Sequence, residues 1–167
     1  HRLSILQCLF RESPLTVSEI AQRTNLPAAV ASQYLRLVQS RGLIRSERRG
    51  RWVFYKDRSD PAVVQAASLV KALRPVLLAP KLTLHTILFE LTALTHPRRI
   101  QIVKVLFLGS KTEAELQRLT GIPPLALTRH LDKLQRRRLV IVDNGDRWRL
   151  IRQDGLRDCL IRLARKE

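Results

Sequence analysis

Along residues 1–56 the apolar positions change spacing once. Leu3, Leu6 and Leu9/Phe10 line one face of a helix. Thr16 and Glu19 then form a T-x-x-E signature. In it the threonine oxygen accepts from a helix-start amide and the glutamate reaches back to the threonine N–H. The short helix it opens packs Ile20 and ends at Asn25, which tolerates the left-handed backbone of a tight turn. Pro27 suits the first turn of a third helix, where a missing N–H costs little. There Ala31, Leu35 and Val38 follow i, i+4, i+7 and are expected in the core, leaving Ala29, Ser32, Gln33 and Arg36 outside. From residue 42 the period becomes two. "GLIRSERRGRWVFY" reads as two extended runs about a turn at Gly50. Alternation puts Trp52 and Phe54 on one face, expected to pack on the helices, with Arg51 pointing out.

Shifted by 96 residues, the chain matches itself. Thr16 falls on Thr112, Glu19 on Glu115, Thr24 on Thr120, Pro27 on Pro123 and Leu35 on Leu131. Gln39, Arg41 and Leu43 fall on Gln135, Arg137 and Leu139, and Arg51-Trp52 on Arg147-Trp148. Upstream, a one-residue shift aligns "RLSILQCLF" with "RIQIVKVLF". Such self-similarity means one unit built twice. In the second copy Ile100, Val103 and Leu106/Phe107 form the first stripe, and Thr112 to Glu115 the capping signature. Leu116 is packed, Gly121 ends the short helix, and Leu127, Leu131 and Leu134 face the core. Leu125, Thr128, Arg129 and Asp132 are left outside. "RLVIVDNGDRWRLI" is the second hairpin, turning at Asn144-Gly145 with Trp148 and Leu150 inward. Two helices about a tight turn, then a hairpin, make a winged helix-turn-helix. The expected fold class is mainly α with small β-hairpins (α+β), two such units in tandem.

Between the copies, residues 62–73 should be helical and are apolar nearly all round. Leu84, Ile87, Leu88, Leu91 and Leu94 form a further stripe, with Pro75 and Pro80 breaking the two apart. Helices apolar on most faces are expected to be buried, and nothing here is a Gly/Ser linker. The copies are therefore expected to dock through these helices as an intrachain pseudo-dimer, with a C-terminal helix around residues 156–163 contributing. The expected divisions are 1–58 for the first unit, 59–82 for the connecting helix and linker, and 83–167 for the second unit.

Charge adds a partner. The 167 residues hold 31 basic and 14 acidic side chains, a net +17. Residues 1–80 carry 13 basic against 5 acidic, and residues 81–167 carry 18 against 9, so both copies are basic bodies rather than one basic tail. This suits a polyanion, double-stranded DNA first and an anionic membrane surface second; the plain alternative is a solvated basic surface. No run of about 18 apolar residues predicts a membrane span, and a cytoplasmic, nucleoid-associated location is expected. The absence of Met, at the first position and elsewhere, predicts a segment preceding His1. Cys8 and Cys159 lie far apart in apolar surroundings and read as buried thiols. His1, His85, His96 and His130 have no i+3 or i+4 ligand partner, so no metal and no cofactor are expected. There is no phosphate-binding Gly loop, nucleophile motif or paired acidic cluster, which argues against an enzyme.

The run "NLPAAVASQYLRLVQSRGLIRSERRGRWVFYK" resembles the third helix and wing of the ArsR/SmtB-type winged-helix repressors. Ser32-Gln33-Tyr34-Leu35 stands where that family has Ser-Arg-His-Leu, and Thr128-Arg129-His130-Leu131 is the closer match. "LTHPRRIQIVKVL" is similar to the family's Asp-Pro-x-Arg-Leu-x-Ile-Leu opening. The resemblance covers nearly the whole chain as two copies. It implies a prokaryotic transcriptional regulator, one that is dimeric in most members and released from DNA by a metal or other signal. Two departures stand out: "VSEIAQ" and "EAELQR" lack the thiols of the metal sensors, and two units share one chain.

The exposed faces of the third helices suit the major groove, where Gln and Arg make paired hydrogen bonds to base edges. Ser32, Gln33, Arg36, Thr128 and Arg129 are the expected readers. Arg48, Arg49 and Arg51 in the first wing, Arg147 in the second, and Arg136 and Arg137 at the helix end are expected on phosphates or in the minor groove. The acids Asp132, Asp143 and Asp146 predict that the second copy binds more weakly. Trp52 and Trp148 are expected in the core rather than stacked on bases. His130 is expected on the helix surface or a phosphate rather than on a metal, and Tyr34 either packs or touches phosphate. The Arg136–Arg138 run reads equally as a solvated face. The function expected is a DNA-binding regulator, a repressor by resemblance. The alternative is a tandem winged-helix protein working through protein contacts or sequence-indifferent DNA binding in chromosome organisation. A homodimer and a small-molecule or protein effector are left open.

Overall fold

The computed structural model describes residues 1–143, 145–151 and 155–166, the side chain of Lys166 excepted. Asn144, half of the expected second turn, lies outside them. The chain divides into two compact units, His1–Leu84 and His85–Glu167.

In the first unit α1 (Arg2–Arg11) buries Ile5, Leu6, Leu9 and Phe10. β1 (Leu15–Thr16) leads into α2 (Val17–Thr24), with a complete capping box at Thr16 and Glu19. Asn25 closes it in the left-handed region at φ 53°. α3 (Ala28–Ser40) buries Ala31, Leu35 and Val38, as the spacing predicts. Pro27 stands one position earlier than expected, as the residue that caps the helix. β2 (Arg45–Arg49) and β3 (Trp52–Lys56) form the hairpin, and β1 adds to its inner edge in the order β1-β3-β2. Leu35 is fully buried and contributes about 2 kcal/mol by leaving water.

α4 (Val64–Leu78) continues through Pro75, which was expected to end it. A proline inside a helix removes one N–H donor, and tertiary contacts hold the segment. The Gln7 side-chain amide donates to Leu77 O at 2.7 Å. The Arg74 guanidinium lies 4.6 Å from the Phe10 ring and pairs with Asp57 at 2.6 Å. The segment expected as a connector is thus part of the first unit, laid on α1. Its entry depends on Gly42 (φ +71°), where an added Cβ would stand 2.7 Å from the Val63 side chain.

The second unit opens with α5 (Leu84–Leu91) and a single 3-10 turn, Thr92–Leu94. α5 buries Ile87, whereas Leu88, expected inside, is exposed, as is its neighbour Phe89. α6 (Pro97–Phe107) buries Ile102, Val103 and Leu106 with Arg99, whose guanidinium donates to the Ala93 and Thr92 carbonyls and to Thr95 Oγ1. α7 (Glu113–Thr120) repeats the complete capping box at Thr112 and Glu115 and ends at Gly121, φ 66°. α8 (Pro124–Arg136) buries Leu127, Leu131 and Leu134. β4 (Val140–Val142) pairs with β5 (Trp148–Leu150). α9 (Leu156–Lys166) adds Ile161 and Ala164 to this core.

The helical parts superpose at the predicted offset; the hairpins do not. Leu15 pairs with Tyr55, but Lys111, its partner in the repeat, pairs with Trp148. The structural equivalent of Trp148 is therefore Tyr55, three residues beyond Trp52. Both are 6% exposed, and Trp52 is 50% exposed. The cause is turn length. In the first hairpin Arg49 pairs directly with Trp52 across Gly50-Arg51, whereas in the second Val142 pairs with Trp148 across residues 143–147. The tighter turn extends the ladder, and an odd slip turns each side chain to the opposite face. Trp52, expected in the core, stands beside the tip.

Candidate nucleic-acid interface

Capping fixes the start of α2, and the left-handed Asn25 sets the turn into α3. The outer face of α3 then presents Gln33 and Arg36 to solvent, with Ser32 half-buried beside them. Arg36 Nη2 donates to Ser32 Oγ at 3.3 Å, so the two polar groups are held together.

All five residues of β2 are exposed. Residues directly opposed in an antiparallel ladder share a face. On one face lie Arg45 with Lys56, Glu47 with Phe54, and Arg49 with Trp52. Arg49 covers the Phe54 ring at 5.4 Å, and Arg51 covers the Trp52 ring at 5.1 Å. Glu47 is neutralised from two sides: hydrogen bonds from Lys56 and then Arg49 push its carboxyl down to about 2. Arg48 donates to Gly50 O at 3.1 Å. Among the described residues neither Arg48 nor Arg51 has an ion-pair partner.

The second unit uses the same positions inwardly. Arg147, expected on DNA, is half-buried; it donates to Ser110 O at 2.9 Å and Ser110 Oγ at 3.3 Å, and pairs with Glu115 at 3.1 Å. Glu115 is itself held below the usual carboxylate range, first by the Thr112 backbone N–H and then by Arg147 and Lys111. Trp148 Nε1 donates to Glu113 Oε1 at 3.2 Å, while Thr128 Oγ1 lies 3.4 Å from Glu113 Oε2 and 3.2 Å from Pro124 O. One carboxylate thus joins the wing to the helix. At the equivalent place the first unit has Val17. Arg137 donates to Phe89 O at 3.0 Å and lies over the Phe89 ring at 4.4 Å. Arg129 and Arg136 remain exposed, as does Asp132.

His130, expected at the surface, is buried at 9% exposure. Its ring lies 4.5 Å from that of His96, and its Nδ1 finds no hydrogen-bond partner among the described residues. Burial, then the His96, Arg99, Arg98 and Lys133 charges, lowers its pKa. Tyr34, its repeat partner, is half-buried and meets His1 at 5.4 Å between ring centroids. Among the described residues no group of three or more His, Cys, Asp or Glu could hold a metal ion. Nor is any described helix long and apolar enough to cross a membrane.

Sequence reasoning missed Trp52 and Arg45 as surface groups and Glu113 as a bridge. The signal for Trp52 was present. Gly50-Arg51 is a two-residue hairpin turn with glycine in the left-handed region, φ +60°, and that length fixes the register of its flanks.

Residues 1–45 match the family described as winged helix-turn-helix DNA-binding. Residues 96–142 match the bacterial regulatory protein, arsR family. No curated protein sequence matches the chain. Both families are DNA-binding regulator modules rather than enzymes, and their residues coincide with the helical cores of the two units.

Proposed function

We propose that this chain, two winged helix-turn-helix units in tandem with the second of the arsR type, is a transcriptional repressor that grips duplex DNA as an intrachain pair. In this reading α3 lies in the major groove. Gln33 and Arg36 read base edges there, with Ser32 holding Arg36. Arg48, Arg49 and Arg51 lie on the backbone or in the adjoining minor groove. The second unit contributes less, through Arg129 and Arg136, because Thr128, Arg137 and Arg147 are engaged inside the unit. The observation that carries the reading is the first wing: its arginines are exposed, and its only acid, Glu47, is already neutralised.

Selection of genomic fragments with the purified chain tests it. The expected result is an enriched motif with two unequal half-sites at fixed spacing, and a log–log salt dependence of about −0.9 per phosphate contact. Transcription from a promoter carrying the motif should fall when the protein is added. Binding that grows with DNA length but enriches no sequence would favour chromosome organisation instead. No binding to duplex would overturn both readings.

A further inference from the structure

We propose that the tip of the first wing is an aromatic wedge, with Trp52 inserting from the minor groove between base pairs at a deformable step. The inference rests on the DNA-binding reading above and goes beyond charge contact.

Three features point to it. Trp52 is 50% exposed at the paired position next to a two-residue turn, so the indole sits where the hairpin projects farthest. A large apolar ring left in water at a loop tip is costly unless something covers it. Second, the ring lies among cations. Arg51 is over it at 5.1 Å and Arg49 is opposite it in the ladder, while Arg48, one residue earlier, faces the other side of the hairpin. That charge selects a polyanion over an apolar protein surface as the occupant, and arginines flanking an aromatic ring form the usual platform for a nucleobase. Third, the second unit shows the same residue type used structurally. Trp148 is 6% exposed and its indole N–H is bonded to Glu113. The chain thus holds a buried tryptophan where it needs a core and an exposed one where the hairpin lengthens.

With α3 in the major groove, the wing of a winged helix lies over the flanking minor groove. Apolar side chains that enter there unstack one step and bend the duplex away, and the cost is lowest at pyrimidine–purine steps. The wing would then select DNA by deformability. Arg48, Arg49 and Arg51 would supply phosphate contacts on either side of the inserted ring.

The test uses the full chain, Trp52→Ala and Trp52→Phe, with two duplexes of about 30 base pairs. One carries repeated TA steps and the other an uninterrupted A-tract. The wild type should bind the TA duplex several-fold more tightly. Trp52→Ala should lose about tenfold on the TA duplex and little on the A-tract, with the salt slope unchanged, as expected for a lost stacking contact. Trp52→Phe should retain most of the preference. On the TA duplex the accessible tryptophan emission should be quenched and shielded from acrylamide, and subtracting the Trp52→Phe signal isolates it from Trp148. Salt-dependent duplex binding with no quenching and no loss in Trp52→Ala would sink the wedge and leave the DNA-binding reading intact. Tighter binding to the single strand than to either duplex would also overturn it. Failure to bind any duplex would remove the wedge and the regulator reading together.

Discussion

Replacing Arg147 with alanine should loosen the second hairpin and leave DNA binding almost unchanged; replacing Arg51 should do the reverse. The two residues occupy one position in the sequence repeat, so the contrast isolates what the structure adds. Arg147 makes two hydrogen bonds to Ser110 and an ion pair with Glu115 at 3.1 Å. Both hydrogen bonds come from one partly exposed guanidinium, so each contributes at the low end of the net range, about 0.5 kcal/mol. The pair is partly wet, with side-chain exposures of 40% and 34%, and solvent screening cuts its share to about 1 kcal/mol. Together the loss should be about 1–2 kcal/mol. For a unit of this size each kcal/mol lowers the melting temperature by about 4–8 °C. The melt is followed by the emission of buried Trp148, which reports on the second unit. Among the described residues Arg51 has no partner but the Trp52 ring, so its removal should shift stability by less than about 0.5 kcal/mol. It should instead reduce the salt slope of DNA binding by about one and weaken binding across sequences. Anisotropy titrations at several salt concentrations read both quantities. If Arg147→Ala weakened DNA binding as much as Arg51→Ala while melting normally, the inward placement of Arg147 would be refuted.

Four further outcomes follow from local geometry. His130 is a base whose pKa is lowered in the folded state. Stability is therefore full above its unfolded value near 6.5 and falls as pH drops through that value toward the lower folded one; His130→Phe should flatten the profile of the second unit in urea melts between pH 7 and 5. Gly42→Ala should cost more than about 2 kcal/mol, because left-handed backbone and the 2.7 Å approach to Val63 act together. Arg138 holds the same left-handed place at φ 54°, so Arg138→Gly should gain up to about 1 kcal/mol. Thr16→Ala and Thr112→Ala should each lose about 1 kcal/mol in denaturant titrations, since both caps bond the third helical N–H.

The helices were legible in the sequence because their signals are local. The caps at Thr16 and Thr112, the turns at Asn25 and Gly121, and the core stripe of Leu35 and Leu131 each depend on residues within one or two turns. The hairpins were misread because a gapless alignment treats position as register. Register is set by the length of the turn, and a slip of three residues placed Tyr55 where Trp52 was expected. Pro75 misled for a different reason: its helix is held by Gln7, Phe10 and Asp57, all distant in sequence. His130 was taken for a surface group, but the neighbouring ring that covers it, His96, stands 34 positions earlier. The inward turn of Arg147 was equally hidden, since Ser110 and Glu115 lie across the fold from it.

The matched helices and the slipped hairpins set the boundaries for exchanging parts between the units. α3 and α8 have equal length, follow a proline with φ −57° in both, and end on an arginine with φ −91° before a left-handed residue. They are interchangeable cassettes, and a chimera cut at those junctions keeps every backbone condition of its host. A graft that continued into the strands would carry the wrong hairpin length. It would drive an indole into the site shaped for Tyr55, or strand one in water where Trp148 had been bonded to Glu113. The outer face of α3 or α8 can therefore be transplanted with its helix alone, while each wing must stay with the body that sets its register.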